Sequence, residues 1–141
     1  MNKRKALELL TEYLKECGSD FYFHKEFILE LQDIILHNAI GHERELFHLL
    51  VKQLGFVKTM GEQVHKADSN EILKNTGKEK DYYSLHIQDK IVNVRLLMTF
   101  TDSHNPVFLA AFYERTGKKA SDYSKWETVI KERYDQIGRW K

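Results

Sequence analysis

The sequence predicts an α+β protein in which N-terminal helices pack on a small antiparallel sheet and a C-terminal helix closes the chain. Three observations predict it. Apolar residues recur at helical spacing as far as residue 54. Alternation replaces that spacing in "YYSLHIQ" and "IVNVRLLMTF", residues 82–88 and 91–100. A helical stripe returns after residue 121. The 141 residues, 42% hydrophobic and 30% charged, suit one globular domain over 1–141.

Residues 3–17 read as a helix through Ala6, Leu10, Tyr13, Leu14 and Cys17, and Gly18 stops it. "SDFYFHKEF" follows; its aromatics suit either a short strand or a helix start. Residues 27–39 are helical through Phe27, Leu31, Ile34, Ile35 and Asn38, with Gly41 after them. Residues 43–54 place Leu46, Phe47, Leu50 and Leu54 on one face, and Gly55 ends them. The polar stretch 58–80 reads as an irregular connection with a short turn of helix at 69–74.

In the strands, Tyr83, Leu85 and Ile87 share one face with Val92, Val94, Leu96, Met98 and Phe100. With Asp89 and Lys90 as a two-residue turn, Ile87 faces Val92, His86 faces Asn93 and Ser84 faces Arg95. Asp-Lys is not a favoured pair there, so a longer loop is the alternative. "VFLAAFYE" makes the third strand, with Pro106 at its beginning. The last helix, from about Ser121 to Ile137, carries Trp126, Val129, Ile130, Arg133 and Ile137 near one stripe, and Ser121 or Asp122 caps it. Trp126 is expected to pack. The early helices are expected to cover one sheet face, with the polar set on the other.

The formal net charge of +1 gives no global field toward nucleic acid or membrane, so any such binding needs a local patch. Cys17 is the one cysteine, which excludes an internal disulfide and a multi-cysteine zinc site. His37, His42, His48 and His65 lack ligand spacing, and neither metal nor cofactor is assigned. The start of the sequence lacks the apolar core of a signal peptide, and no segment is long enough to span a bilayer, so a cytoplasmic protein is expected.

One corner carries chemistry. Arg95 lies in the middle of a strong strand, where a guanidinium is costly to bury. It is either paired with a carboxylate such as Glu114, or it belongs to an anion site. In the second case Arg115, Lys118 and Lys119 approach from the end of the next strand. Such a group suits RNA phosphate, because arginine donates two parallel hydrogen bonds and lysine adds a mobile charge. Tyr123 or Phe112 then stacks a base.

From Tyr82 to about Arg133, through "YYSLHIQ", "NVRLLMTF" and "VFLAAFYERTGKKASDY", the chain resembles the RelE/ParE superfamily of bacterial toxins, near its HigB-like and phage-derived branches. The resemblance implies a twisted antiparallel sheet packed on helices, with residues 1–18 as an extra helix. It implies a type II toxin that cleaves mRNA on the ribosome and is restrained by a cognate antitoxin, commonly a helix-turn-helix protein. Carried over by position, Arg95 holds phosphate. Arg115, with Lys118 as the other candidate, stabilises charge at the scissile group, and Tyr123 meets the reacting nucleotide. The Lys118-Lys119 pair alternatively serves the antitoxin. The chain departs from the family pattern at Ser84 and His86, where RelE-like nucleases carry lysines. It departs again at Ala110 and Ala111, where many HigB-like members have a histidine.

The implied reaction is transesterification, in which the ribose 2′-OH attacks its own 3′ phosphate and the 5′-oxygen leaves. Arg95 and Arg115 suit the charge of the phosphorane, and His86 suits proton transfer. Tyr123 orients the nucleotide or donates a proton, and Ser84 faces the RNA. Two other readings stand beside this one. A catalytically silent relative that binds a protein partner fits Ser84 and the missing histidine. A DNA gyrase inhibitor of the ParE kind shares the fold.

Overall fold

The computed structural model describes residues 1–73, 80–114 and 124–138. The fold is α+β, and its five-stranded sheet is mixed rather than purely antiparallel. Helix α1 (Lys3–Glu16) is capped by the Asn2 side chain, which accepts from the Lys5 N–H at 2.8 Å. Gly18 takes φ +96°, the left-handed conformation that lets the chain leave the helix at once. The aromatic stretch resolves into strand β1 (Tyr22–Phe23) and helix α2 (Lys25–Asp33), which continues into a π-turn at Ile34–Asn38. His24 joins them. Its N–H donates to the Phe108 carbonyl, and its Nδ1 caps α2 by accepting from Glu26 N–H at 3.0 Å.

Helix α3 (Glu43–Met60) runs past Gly55, where the sequence predicted its end. The apolar stripe continues to Val57, and burial of that stripe outweighs the roughly 1 kcal/mol cost of a mid-helix glycine. A 3₁₀ segment, Gly61–Lys66, and strand β2 (Glu71–Ile72) replace the expected irregular connection. The short helix expected at 69–74 is therefore this strand as far as the described residues extend.

Strands β3 (Tyr83–Gln88), β4 (Asn93–Phe100) and β5 (Pro106–Tyr113) form the antiparallel centre, and α4 (Ser124–Gly138) follows. The sheet order is β1-β5-β4-β3-β2, with β1 parallel to β5. The hairpin register differs from the expectation by two residues. Ile87 faces Val94, His86 faces Arg95, and Ser84 faces Leu97. Asp89 is the reason. Its Oδ1 accepts from Ile91 N–H and Val92 N–H, both at 2.7 Å, and its own N–H donates to the Val92 carbonyl at 2.9 Å. That side-chain turn closes a four-residue connection, 89–92, in place of two residues.

The two sheet faces each carry a core. Helices α1, α2 and α3 pack on Tyr83, Leu85, Ile87, Val94, Leu96, Met98 and Phe108. The opposite face is not an open polar surface. Helix α4 covers it, packing Ile130 and Ile137 against Leu97, Val107, Leu109 and Ala110. Each fully buried isoleucine of this kind contributes about 1.5–3 kcal/mol. A bulge in β5 makes that second layer: Leu97 pairs with Ala110 but Met98 pairs with Phe108, so Leu109 is extra. Leu109 and Ala110 consequently both join the α4 side.

Two polar links fasten α4. Arg133 holds Glu30 of α2 through two hydrogen bonds at 2.8 and 2.9 Å and also donates to the Leu109 carbonyl. Glu30 accepts in turn from Ala111 N–H at 3.0 Å. These groups satisfy the edge of β5 beyond the two residues that β1 covers. His24 Nε2 lies 2.6 Å from Gln136 Oε1.

Candidate functional site

A row of side chains crosses three strands on the α4 side of the sheet. The register sets His86 beside Arg95 and Arg95 beside Phe112. Glu114 follows β5 directly, its N–H donating to the Asn93 carbonyl at 2.8 Å, and its side chain reaches back to Arg95. Ser84, expected opposite Arg95, is instead fully buried two pairs along, across from Leu97.

Arg95 is buried by this arrangement. Its Nη1 donates to Asn93 Oδ1 at 2.7 Å, and its Nη2 lies 2.8 Å from Glu114 Oε2. Both side chains of the ion pair are only 9% exposed. The pair is close but poorly aligned. Glu114 Oε2 and Arg95 Nε are buried without a hydrogen-bond partner among the described residues, as are His86 Nε2 and Trp126 Nε1. Four orphaned polar atoms on the side chains of one neighbourhood are costly, since buried polar groups are ordinarily satisfied.

His86 is held by its backbone. Strand β2 pairs only with Tyr83 and Ser84, so the edge of β3 beyond them needs another partner. Two buried amides supply it. His86 N–H donates to Asn70 Oδ1 at 2.8 Å, and Gln53 Nε2 donates to the His86 carbonyl at 3.1 Å. Gln53 and Asn70 also bond each other reciprocally. The ring itself is pushed down to about 4, first by burial and then by the Arg95 charge. Glu71 Oε2 stands 3.2 Å from Nε2 without the alignment of a hydrogen bond. The imidazole is therefore neutral at pH 7.

Trp126 packs as expected. Its ring stacks on Phe112 with centroids 5.2 Å apart and planes 9° from parallel, and the Arg133 guanidinium lies 5.9 Å from its centroid. That face of Phe112, expected to take a base, is already covered by indole. Arg115, Lys118, Lys119 and Tyr123 lie outside the described residues, as do Ser121 and Asp122.

The structure thus brings together His86, Arg95 and Phe112 and adds Glu71, Glu114 and Trp126. Glu114 was legible as a possible partner of Arg95. Glu71 sits in a polar stretch whose pattern carried no strand signal. The Gln53–Asn70 pair gave none either, because Gln53 reads as one more polar position on α3. Chemically, the row offers a neutral imidazole as proton acceptor beside a guanidinium whose charge is matched by a carboxylate.

Among the described residues no group of three His, Cys, Asp or Glu side chains could hold a metal ion. No helix among them is long and apolar enough to cross a membrane. No protein-family model, curated protein or solved structure matches the chain.

Proposed function

We propose that this protein is a RelE/HigB-like toxin, a ribosome-dependent endoribonuclease that acts in the cytoplasm and is neutralised by a cognate antitoxin. One observation carries the reading: His86 and Arg95 face each other directly across two strands, with the imidazole neutral. A neutral imidazole accepts the proton of a ribose 2′-OH. The adjacent guanidinium stabilises the negative charge that develops as the 2′-oxygen attacks the 3′ phosphate. The products are a 2′,3′-cyclic phosphate and a 5′-hydroxyl, the leaving 5′-oxygen taking up a proton. Arg115, Lys118 and Tyr123 retain in this reading the roles that the family resemblance implies.

Expression of the chain alone is expected to arrest growth and to cut mRNA on programmed ribosomes. Arg95→Ala and His86→Ala, checked for folding by circular dichroism, are expected to lower cleavage by at least about a hundredfold each. Wild-type protein that leaves ribosome-bound mRNA intact defeats the reading.

The pairing of Arg95 with Glu114 favours a second reading, in which the chain is a silent relative that binds a protein partner. The same cleavage assay separates the two.

A further inference from the structure

We propose that Glu114 gates Arg95: its carboxylate occupies the position that an RNA phosphate takes, so that phosphodiester binding is an exchange of anions on one guanidinium. The identity of the incoming anion rests on the ribonuclease reading above. The gate itself rests on geometry.

A guanidinium presents a flat edge, Nε with one Nη, that fits the two oxygens of a carboxylate or phosphate. On Arg95 that edge is half used. Nη2 lies 2.8 Å from Glu114 Oε2, while Nε has no partner among the described residues. The carboxylate is equally under-used, since Oε2 accepts no aligned hydrogen bond. Such a contact neutralises charge without locking either group. Elsewhere in the same protein Glu30 shows what a locked carboxylate looks like, with two bonds from Arg133 and one from Ala111 N–H.

Position adds to this. Glu114 is the first residue beyond β5, fixed by its backbone N–H on Asn93, so its side chain can turn away while the strand stays paired. Asn93, the other partner of Arg95, holds the guanidinium in place from within β4. With the carboxylate turned out, Arg95 is an oriented cation beside a neutral imidazole, with Nε and Nη2 both free to donate.

The test uses the purified full chain and a fluorescent single-stranded 2′-O-methyl oligoribonucleotide, which lacks the attacking hydroxyl and cannot be cut. Anisotropy is read across a range of salt. Glu114→Gln is expected to bind roughly tenfold tighter than wild type. Glu114→Asp, one methylene shorter, is expected to show a smaller gain of the same sign. Arg95→Gln combined with Glu114→Gln should lose the gain. Folded Glu114 variants that bind no tighter than wild type overturn the proposal. Loss of the fold with either single substitution also overturns it, because the carboxylate is then structural. A binding gain with no mRNA cleavage by wild type leaves the gate standing and removes the nuclease. Cleavage with no binding gain removes the gate alone.

Discussion

Among the described residues, the part-buried Arg133–Glu30 pair and the buried Arg95–Glu114 pair differ in how fully they are satisfied. Arg133 and Glu30 join the two sides of the sheet, exchange two aligned hydrogen bonds and extend to a carbonyl and an N–H of β5. Among the described residues, Arg95 and Glu114 have one close contact, and a polar atom on each lacks a partner. The first pair does what a strand edge requires. The second stands in a row with His86, between strands that are also joined by their own ladder.

This difference can be tested by breaking each pair. Arg133→Ala strands the Glu30 carboxylate and is expected to cost about 3–5 kcal/mol in urea unfolding. The α4 contact should be lost first, read by Trp126 fluorescence. A cost below about 1 kcal/mol would mean that the clasp is no stronger than a surface pair.

The row around Arg95 should instead show itself in pH dependence. The folded His86 ring titrates at about 4 against an ordinary 6.5. Between those values the unfolded chain holds a proton that the folded chain lacks, so stability falls as pH is lowered. The full loss is on the order of 3 kcal/mol, of which about 2 is gone at pH 5. His86→Gln should flatten that part of the stability curve; an unchanged slope would place the acid sensitivity elsewhere.

Asp89→Ala is expected to cost about 1 kcal/mol through the lost turn bonds. Because these bonds hold the carboxyl below its usual range, wild type should lose their benefit as pH drops below about 4, and the variant should not. Smallest of all, replacing Arg95 by Met together with Glu114 by Leu should change stability by less than about 1 kcal/mol, since an apolar pair of similar volume removes the desolvation cost with the charge. A large loss would make this pair as structural as the other.

Much of the fold was legible in the sequence. The α+β order, the three central strands and the face that meets the N-terminal helices follow from apolar period alone. Three things did not. The hairpin register turned on Asp89, whose side chain makes a turn that no dipeptide rule reveals. The second core was hidden because Leu97, Leu109 and Ala110 share a face with Ser84 and Arg95, so the face reads as mixed. Strands β1 and β2 are two residues each, too short for any period. At the site, Arg95, His86 and Phe112 were visible as residue types. Their burial was not, because it comes from partners that the apolar period does not reveal: Glu71 beside His86, Glu114 on Arg95 and Trp126 on Phe112.

The extra residue in β5 sets more than the packing of one helix. Downstream of Leu109 it shifts the in–out phase of the strand, and only with that shift does Glu114 emerge on the same side as Arg95. Were the same residues to pair as a regular ladder, with Leu109 opposite Leu97, the effect would be a frameshift written in space: Arg95 would face Ala111, Phe112 and Glu114 would exchange sides with Ala111 and Tyr113, and the charged row would be dismantled with no change to any of its members.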